Sequence, residues 1–417
     1  MIKKIFFCLG ISLLSFNVFS QENTSSPYSY YGIGEVRFKG TEAAKTMGGL
    51  AITGDSIAVN LNNPASYSSL RLTTFSVGGS TNFTKLNAME QQEKAKSTAF
   101  DYIVVGVPMG KFGAVAGLAP YSAIGYKIEN NSTIDDLQKV KRFNGSGNIN
   151  RFFTGFSYQI NEEFSVGAGV DYNFGKIENN VVESIAGIQL STKETNTAEV
   201  RGVSFNFGAM YTKKINGDKK IFSSLTYVPE ATLSSKNTRS IGTVAYSLSG
   251  SEVPIGTPIN VDIADSDLKI PSKLGLGFGI GKVNKWLIGT EVSFLGNKNL
   301  VRRFDDGLNY EYKNGQRYIV GGYYIPKYDS FSSYFSRVVY RSGFRFENTG
   351  LEINGKQIND YGMNFGFGLP VGLSKIDIGF EFGQRGTTLK GLVFENYFNI
   401  NIGLSLSDKW FKKTLID

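Results

Sequence analysis

The sequence predicts an all-β protein: a fourteen-stranded antiparallel transmembrane β-barrel with an N-terminal plug, or hatch. Three observations lead to this prediction. From residue 70 onward, apolar residues recur at every second position in runs of about ten residues, as expected of strands with one lipid-facing side. Short turns and long polar links alternate between these runs. The composition, with 49 glycines, 32 phenylalanines and 22 tyrosines against 10 prolines, is typical of an all-β chain rich in glycine and aromatic residues.

The first twenty residues have the features of a secretory signal peptide. Lys3 and Lys4 precede a mainly apolar run from Ile5 to Leu14, and the expected cleavage follows Ser20. The alternative is a transmembrane anchor, but the apolar run is short and polar sequence follows it. No later segment approaches the ~20 apolar residues of a membrane-spanning helix, so strands must do any spanning.

The residue inventory argues against catalysis. Histidine is absent, which removes the commonest general base and metal ligand, and the one cysteine, Cys8, lies within the signal. We therefore expect no enzyme activity, no catalytic residue, no cofactor and no metal site. The formal net charge of +8 falls to +6 when Lys3 and Lys4 leave with the signal. Because the remaining charges are scattered through turns and loops, nucleic acid is not an expected partner.

Paired carboxylates allow a chemical and a structural interpretation. Asp377 and Glu381 fall on one face of a strand, which would suit glycosidase-like chemistry or a structural role opposite cations in a polar lumen. Asp265 with Asp267 could hold calcium, but a calcium loop needs several more oxygen ligands at set spacing. We favour the structural interpretation for the first pair and solvated loop charge for the second.

The strand pattern is clearest near the end of the chain. In residues 398–406, apolar residues alternate with asparagine, glycine and serine, so that one face suits lipid and the other a polar lumen. Residues 376–383 repeat the pattern with acidic residues on the second face, which argues against a dry core there. A soluble β-sandwich would give similar alternation, and the strands alone leave that alternative open.

Turn lengths favour the membrane barrel over the sandwich. Outer-membrane barrels have short periplasmic turns and long extracellular loops, and a sandwich has no reason to keep this alternation. One connection in the short series, Pro326 to Ser336, is longer than the others. The short turns are Gly110-Lys111, Asn161-Glu162-Glu163, Asn216-Gly217-Asp218, Val283-Asn284-Lys285 and Pro370-Val371-Gly372, and the long links are roughly 87–98, 130–147, 180–198, 233–270, 298–315 and 348–360.

The strand count predicts where the chain ends lie. Fourteen is an even number, so both ends return to the periplasm, as in bacterial single-chain barrels. A barrel of this size encloses a water-filled lumen unless something plugs it. The predicted strands are at about 71–85, 99–109, 112–128, 148–160, 164–179, 199–213, 219–231, 272–282, 285–297, 316–325, 337–347, 361–369, 373–384 and 392–406.

The segment before the first strand supplies a plug. Residues 21–69 are rich in glycine, alanine and small polar residues, and they contain no amphipathic strand strong enough to join the wall. We predict that they form a hatch in the barrel mouth; a disordered tail is the alternative. The predicted organisation is therefore a signal peptide (1–20), the hatch (21–69), the barrel (70–411) and a short periplasmic tail (412–417).

The end of the hatch carries an Asn-Pro-Ala motif, in Asn62-Asn63-Pro64-Ala65-Ser66, shortly after the glycine-containing stretch 49–56. Both resemble the hatch of the FadL-type outer-membrane transporters of long-chain fatty acids, where an Asn-Pro-Ala motif closes the plug. Weaker similarities follow in order at Phe164–Tyr172, Pro271–Gly281 and Val339–Phe344. The resemblance implies passive uptake of hydrophobic or amphipathic small molecules, with Asn63, Pro64 and Ala65 taking part in gating.

The resemblance also implies a sideways exit, because ligands of that family leave through a gap where the third strand is kinked. The third strand of this chain contains Pro120 between Ala119 and Tyr121. Proline has no N–H to give to a neighbouring strand, so Pro120 must break a ladder bond or occupy a bulge. We therefore predict a lateral opening at these three residues. The alternative is that the strand has already left the membrane at Pro120.

Location and partners follow from the same prediction. We expect a multi-pass barrel in the bacterial outer membrane, in contact with outer-membrane lipid and lipopolysaccharide, that binds a hydrophobic small-molecule ligand. Outer-membrane proteins are further partners if the chain has the alternative function. In that alternative it is a non-transporting structural subunit of an outer-membrane protein assembly or secretion complex. The loop 233–270 would then be the exposed protein-binding surface.

Overall fold

The structure is a computed structural model, and it describes residues 24–37, 39–89, 91–215, 217–247, 251–300 and 309–409. The predicted signal peptide and the predicted tail lie outside these residues. In the described part of the chain, no helix is long and apolar enough to cross a membrane.

The described residues form one closed antiparallel sheet, which confirms the predicted fourteen-stranded barrel. Fourteen strands make the wall, namely β2–β8, β12, β13 and β15–β19, and the last of them closes onto the first from Phe394↔Asn87 to Asp408↔Thr73. The strands are β1 (Glu35–Val36), β2 (Thr73–Asn87), β3 (Gln92–Met109), β4 (Phe112–Ile134), β5 (Leu137–Gln159), β6 (Phe164–Ile185), β7 (Ser191–Lys214), β8 (Lys219–Val228), β9 (Ala231–Tyr246), β10 (Glu252–Val261), β11 (Ser266–Ile270), β12 (Lys273–Lys282), β13 (Trp286–Leu295), β14 (Tyr310–Tyr312), β15 (Gly315–Tyr324), β16 (Val339–Ile353), β17 (Lys356–Val371), β18 (Ser374–Gly386) and β19 (Phe394–Asp408).

The two faces of the wall differ as the alternation predicts. Large apolar side chains are exposed on the outer face, for example Phe156 on β5 and Phe278 on β12. The inner face buries charged side chains, among them Arg345, Asp360 and Glu381. An apolar outer belt around a polar interior is the pattern of a membrane-spanning barrel.

One side of the barrel has strands much longer than a membrane crossing requires. Strands β4, β5, β6 and β7 are 23, 23, 22 and 24 residues long, whereas about ten residues cross the hydrocarbon. The links 130–147 and 233–270, expected to be loops, are therefore largely strand; the second contains β10, β11 and most of β9. The sequence lacked a signal there because strands with water on both faces need no apolar alternation.

The ladder between β3 and β4 is interrupted. It holds seven pairs, from Met109↔Phe112 to Ile103↔Leu118, and no pair is formed above Leu118. Beyond that point β3 continues to pair with β2, and β4 continues to pair with β5. Elsewhere each wall strand is paired on both sides, so this slot is a local feature of the described wall.

The described part of the hatch, residues 24–69 without Phe38, lies inside the barrel. Its elements are short: a 3-10 turn at Pro27–Tyr30, strand β1, the one-turn helix α1 (Glu42–Lys45) and a 3-10 turn at Pro64–Ser69. Most of its side chains are buried. A segment with so little regular structure of its own must have its backbone polar groups satisfied largely by the wall and by side chains.

Candidate functional site

The Asn-Pro-Ala motif forms a capped turn on the inner wall. Asn63 is the N-cap of the turn Pro64–Ser69, and its side-chain oxygen accepts a hydrogen bond from the Ala65 N–H at 3.0 Å. Proline suits the first position after a cap because it has no N–H to leave unsatisfied. The Asn63 amide also donates to the carbonyls of Ala209 on β7 and Leu225 on β8, at 3.4 and 3.5 Å. The motif therefore joins the hatch to two wall strands.

Glycines in the wall make room for this turn. A Cβ atom at Gly208 would lie 2.1 Å from the side-chain oxygen of Asn63, and one at Gly167 would lie 2.4 Å from the carbonyl carbon of Pro64. Any larger residue at either position would push the turn off the wall. The structure thus brings Asn63, Pro64 and Ala65 together as a fixed contact; their part in gating remains a prediction.

The hatch also pairs with the free edge of β4. Strand β1 lies antiparallel to it, with Glu35 opposite Ala123 and Val36 opposite Ser122. The Arg37 N–H donates to the carbonyl of Tyr121 at 3.0 Å. Part of the edge that β3 leaves open is therefore covered by hatch backbone.

The residues predicted for a lateral opening lie where this slot begins. Ala119 is fully buried, and Pro120 and Tyr121 are partly exposed. The pairing of β4 with β5 shifts between Pro120 and Ser122, which leaves Tyr121 as a bulge. Proline is compatible with such a position because it lacks the N–H that a regular ladder needs. A passage for a ligand at this place remains a prediction.

A second attachment of the hatch is electrostatic, and we call it the charge clamp: Glu35, Lys39, Arg345, Asp360, Glu381, Arg385 and Glu395. Arg385 on β18 is its centre. The Arg385 guanidinium lies 2.9 Å from the Glu35 carboxylate of the hatch, 3.0 Å from Asp360 on β17 and 3.6 Å from Glu395 on β19. One cation thus joins the hatch to two further strands.

Arg345 on β16 is the second cation of the clamp, and its side chain is only 2% exposed. Its guanidinium lies 3.2 Å from Asp360 and 3.0 Å from Glu381, and it also donates to the Tyr397 hydroxyl at 3.0 Å. Lys39 of the hatch lies 3.9 Å from Glu381. Buried charges that each meet a partner are stable together, but removing one leaves the others unpaired in a medium of low polarity.

Helix α1 carries a third polar attachment. The Lys45 ammonium lies 2.9 Å from Glu42 and 2.8 Å from Asp101, which occupies a bulge in β3. Burial raises the pKa of Glu42 well above its usual range, and this effect exceeds the lowering by Lys45. One Glu42 oxygen has no hydrogen-bond partner among the described residues. Burial therefore favours the protonated form of Glu42, which would leave Lys45 and Asp101 as the ion pair.

A cluster of apolar side chains packs together in the outer half of the lumen. It lies along β4–β7, β9 and β11, and not along β16–β19, which carry the wall residues of the charge clamp. Tyr30 and Ile33 of the hatch belong to a cluster with buried residues of β4, β5, β6, β7, β9 and β11. Tyr30 packs edge to face on Tyr126 of β4, with 5.1 Å between ring centroids. The buried wall residues of this cluster are Ile124, Tyr126, Ile149, Ile177, Val200, Leu233, Leu268 and Ile270.

Two cavities adjoin the hatch. The first, about 40 Å³, is lined by polar and charged side chains that include Arg37, Glu35 and Asp101. The second, about 630 Å³, lies on the side of the short turns and is lined there by Asn161, Val283 and other turn residues. We call this second cavity the vestibule.

The described part of the chain contains no group of three or more His, Cys, Asp or Glu side chains that could hold a metal ion. Asp265 instead accepts a hydrogen bond from the Asn237 N–H at 3.1 Å. Asp377 pairs with Arg341 at 2.7 Å, and Glu381 belongs to the charge clamp. Both carboxylates thus have the cationic neighbours that the structural interpretation requires.

Most of the charge clamp is not predicted by the sequence. The strand pattern places Asp377 and Glu381 on one face, but it does not connect Arg345, Arg385 or Glu35 with them. A signal was present: Arg341 and Arg345 both fall on the lumen face of one predicted strand, where a cation needs an anion from a neighbouring strand. That neighbour cannot be chosen from the sequence, because no local pattern determines the register across fourteen strands.

Several solved structures share this fold. The toluene transporter TbuX of Ralstonia pickettii is 12% identical, with a TM-score of 0.55, and the match covers 88% of this chain and 98% of that one. The toluene transporter TodX of Pseudomonas putida is 15% identical, with a TM-score of 0.54 and 90% and 98% coverage. A Pseudomonas aeruginosa FadL homologue is 12% identical, with a TM-score of 0.52 and 89% and 99% coverage. The resemblance to FadL-type barrels is therefore confirmed at the level of the fold.

Sequence comparison gives one family. A family model described as BamG matches residues 1–417. No curated protein matches the sequence. The family model and the solved channels thus carry different names. A shared fold does not show that two proteins transport the same compound.

Proposed function

We propose that this chain, which belongs to the BamG family, is a lumen-blocked outer-membrane barrel that serves as a structural subunit of an outer-membrane protein assembly or secretion complex. The observation that carries the proposal is the charge clamp. Arg385 and Arg345 hold hatch and wall together through buried ion pairs that reach β16, β17, β18 and β19. A hatch attached in this way acts as a permanent part of the wall.

The energetics of the clamp favour a closed lumen. To let a molecule pass, the hatch would have to separate Glu35 from Arg385 and Lys39 from Glu381. Breaking a buried pair typically costs about 3–5 kcal/mol, since it leaves charge without a partner. An apolar ligand offers no charge in exchange. A barrel that opens for such ligands would be expected to hold its plug with weaker contacts on this side.

The packing of the outer lumen supports the same proposal. Uptake of a hydrophobic compound needs an apolar pocket that leads from the loops to the wall. Here the apolar side chains of the outer half are packed on one another and on Tyr30 and Ile33 of the hatch. The small cavity beside the slot is polar. These features suit a barrel that binds other proteins through its surfaces and carries no compound through its lumen.

Passive uptake of hydrophobic or amphipathic small molecules is the second candidate, and the slot between β3 and β4 favours it. The ladder ends after seven pairs, and about ten residues cross the hydrocarbon, so the slot would begin within the membrane, on the outer side. Lateral release at Ala119, Pro120 and Tyr121 would use it. The toluene transporters with this fold support the candidate, although the small cavity near the slot is charged.

Native mass spectrometry after purification in a gentle detergent separates the two candidates. The subunit proposal predicts a stoichiometric complex with other proteins and no fatty-acid-like ligand in the barrel. Recovery of the isolated barrel with such a ligand bound would overturn it in favour of uptake. Uptake of labelled fatty acid and of toluene by cells with and without the chain gives an independent readout, and Pro64→Gly tests the hatch. Uptake that depends on the chain and changes with Pro64→Gly would contradict a blocked lumen.

A further inference from the structure

The vestibule is a preformed cavity at the short-turn end of the barrel, which is the expected periplasmic end. Its volume of about 630 Å³ lies within the range of ligand pockets, about 300–1,000 Å³. Hatch residues Met47 and Leu50 and wall residues Met210 and Phe222 give it apolar surface. It opens at the short-turn end of the barrel, which faces the periplasm in outer-membrane barrels, so an occupant would come from that side.

Cations without counter-ions line this cavity. Arg341 and Lys375 pair with Asp377, at 2.7 and 3.6 Å. By contrast, Arg71, Lys220 and Arg337 also line the vestibule, and none of the three forms an ion pair with another described residue. The lining also holds three carboxylates: Asp55, 3.8 Å from Lys375, and Glu162 and Glu163, which are exposed on their turn. The site therefore presents three cations without an ion-pair partner among the described residues, beside apolar surface.

Arg337 gives the sharpest indication of a missing partner. Its Nε atom is buried and has no hydrogen-bond partner among the described residues. The guanidinium stacks over the Tyr334 ring, 5.4 Å from the centroid, which fixes its position. A buried N–H that makes no hydrogen bond destabilises the folded state, so a carboxylate that accepts from it would remove that penalty.

The turn that carries Arg337 is also the one long connection among the short turns at this end of the barrel. It joins β15 to β16 through the long connection seen in the sequence, and it exposes Tyr328, Phe331, Tyr334 and Phe335. Phe331 is completely exposed and Phe335 is 74% exposed. Large aromatic side chains with this exposure, next to a cationic pocket, are typical of a protein-binding surface.

We infer that the vestibule and this aromatic turn together form the docking site for a periplasmic polypeptide, which inserts a segment of apolar and acidic residues. The inference rests on the proposed subunit function and names the side of the barrel on which a partner binds. Acidic side chains of the segment meet Arg337, Lys220 and Arg71. Its apolar side chains cover the hatch surface, and its flank covers Phe331 and Phe335.

The geometry favours a polypeptide over the membrane surface as the occupant. Phe335 does lie near the lipid-facing rim, because its carbonyl accepts a hydrogen bond from the outward-facing Tyr340 at 3.2 Å. Tyr328 and Arg337, however, line the vestibule inside the ring of wall strands, which a bilayer cannot enter. Only a chain that crosses the rim can contact both faces of this turn.

Photo-crosslinking in living cells tests the inference in the full-length protein. The photoreactive residue p-benzoylphenylalanine replaces Phe331, and in two control proteins it replaces lipid-facing Phe278 or Ile259 on the outer strand β10. We expect one protein adduct of defined mass from position 331 and none of that mass from the controls. Mass spectrometry should locate the crosslink in a segment that contains both carboxylates and apolar residues. A synthetic peptide of that segment should bind the purified barrel.

A matched pair of substitutions distinguishes docking from chance proximity. Arg337→Gln should weaken peptide binding about tenfold, as expected for the loss of one charge-assisted hydrogen bond. Lys327→Gln, which removes an exposed cation from the same turn, should leave binding nearly unchanged. Lipid adducts alone at position 331, equal effects of the two substitutions, or a protein adduct from Ile259 alone would each overturn the inference. If native mass spectrometry still gives a complex, the proposed function stands without it.

Discussion

The hatch is attached in different ways to two parts of the same wall. Along β16–β19, where the ladders run without interruption through the charge clamp, it is held by side-chain charge through Arg385 and Arg345. Along β4, where the ladder with β3 is missing, it is held by backbone hydrogen bonds of β1 and Arg37. A complete ladder has no backbone group to offer, so contact there must use side chains. An incomplete ladder leaves backbone N–H and C=O groups unpaired, and the hatch backbone can bind to them.

The difference teaches which attachment can be exchanged. Backbone pairing is nearly independent of sequence, so another strand could replace β1 on β4 with the same hydrogen bonds. The charge clamp depends on the position of each group and fails as a unit when one member is lost. We therefore expect the β16–β19 side to determine whether the hatch stays in the barrel. The β4 side determines how tightly the slot is covered.

The largest effect is expected from Arg385→Ala. This change leaves Glu35, Asp360 and Glu395 buried without their shared cation, and it should lower the free energy of unfolding by about 3–5 kcal/mol. Thermal unfolding in detergent micelles and tryptic cleavage within the hatch measure it. The matched control is Arg142→Ala, whose pair with Glu129 is about half exposed and should contribute at most about 1 kcal/mol. Equal effects would show that the clamp does not hold the hatch.

A smaller, local effect is expected from Arg37→Pro. The change removes the N–H that donates to Tyr121 and leaves that carbonyl without its partner, at a cost of about 1–3 kcal/mol. Because the mature chain is predicted to be free of cysteine, Val36→Cys can report on the edge. A thiol reagent should label it faster in the proline variant. Arg37→Ala keeps the N–H and is the control, and equal labelling of the two variants would contradict backbone attachment.

Asn63→Ala tests the turn that lies on the glycine surface. Loss of the N-cap hydrogen bond to Ala65 should lower the free energy of unfolding by about 1 kcal/mol. The measurement is again thermal unfolding in micelles. Asn131→Ala, at an exposed position on β4, should change stability much less. A change at Asn63 no larger than this control would mean that the wall alone positions the turn.

The smallest effect at low pH is expected from Glu42→Gln, and this effect grows with pH. Since the folded protein raises the pKa of Glu42, folding keeps a proton that the unfolded chain releases above its usual pKa of about 4.5. Stability from this group therefore falls as pH rises toward the folded pKa. Glutamine carries no such proton, so the variant should match the parent near pH 5 and become relatively more heat-stable toward pH 8. The same difference in melting temperature at both pH values would contradict a protonated Glu42.

The sequence was sufficient for the barrel and insufficient for its interior. Alternation along each strand is a local property, so the wall and its fourteen strands could be predicted. Pro120 could be expected at an irregularity because the missing N–H is also local. The clamp joins Glu35 to Arg385 across 350 residues, and such pairs depend on the register of every strand between them. The extension of β4–β7 was missed because strands in water on both faces carry no apolar signal.

One carbonyl of the hatch meets both edges of the closing seam. The Ile57 oxygen accepts hydrogen bonds from the hydroxyls of Thr74 on β2, at 3.3 Å, and of Ser407 on β19, at 3.0 Å. These two wall strands are the first and the last to be synthesised, so this oxygen can bind both only after β19 has arrived. An early segment of the chain thus bridges the two strands whose pairing closes the barrel. The contact that seats this part of the hatch and the pairing that closes the wall involve the same two strands.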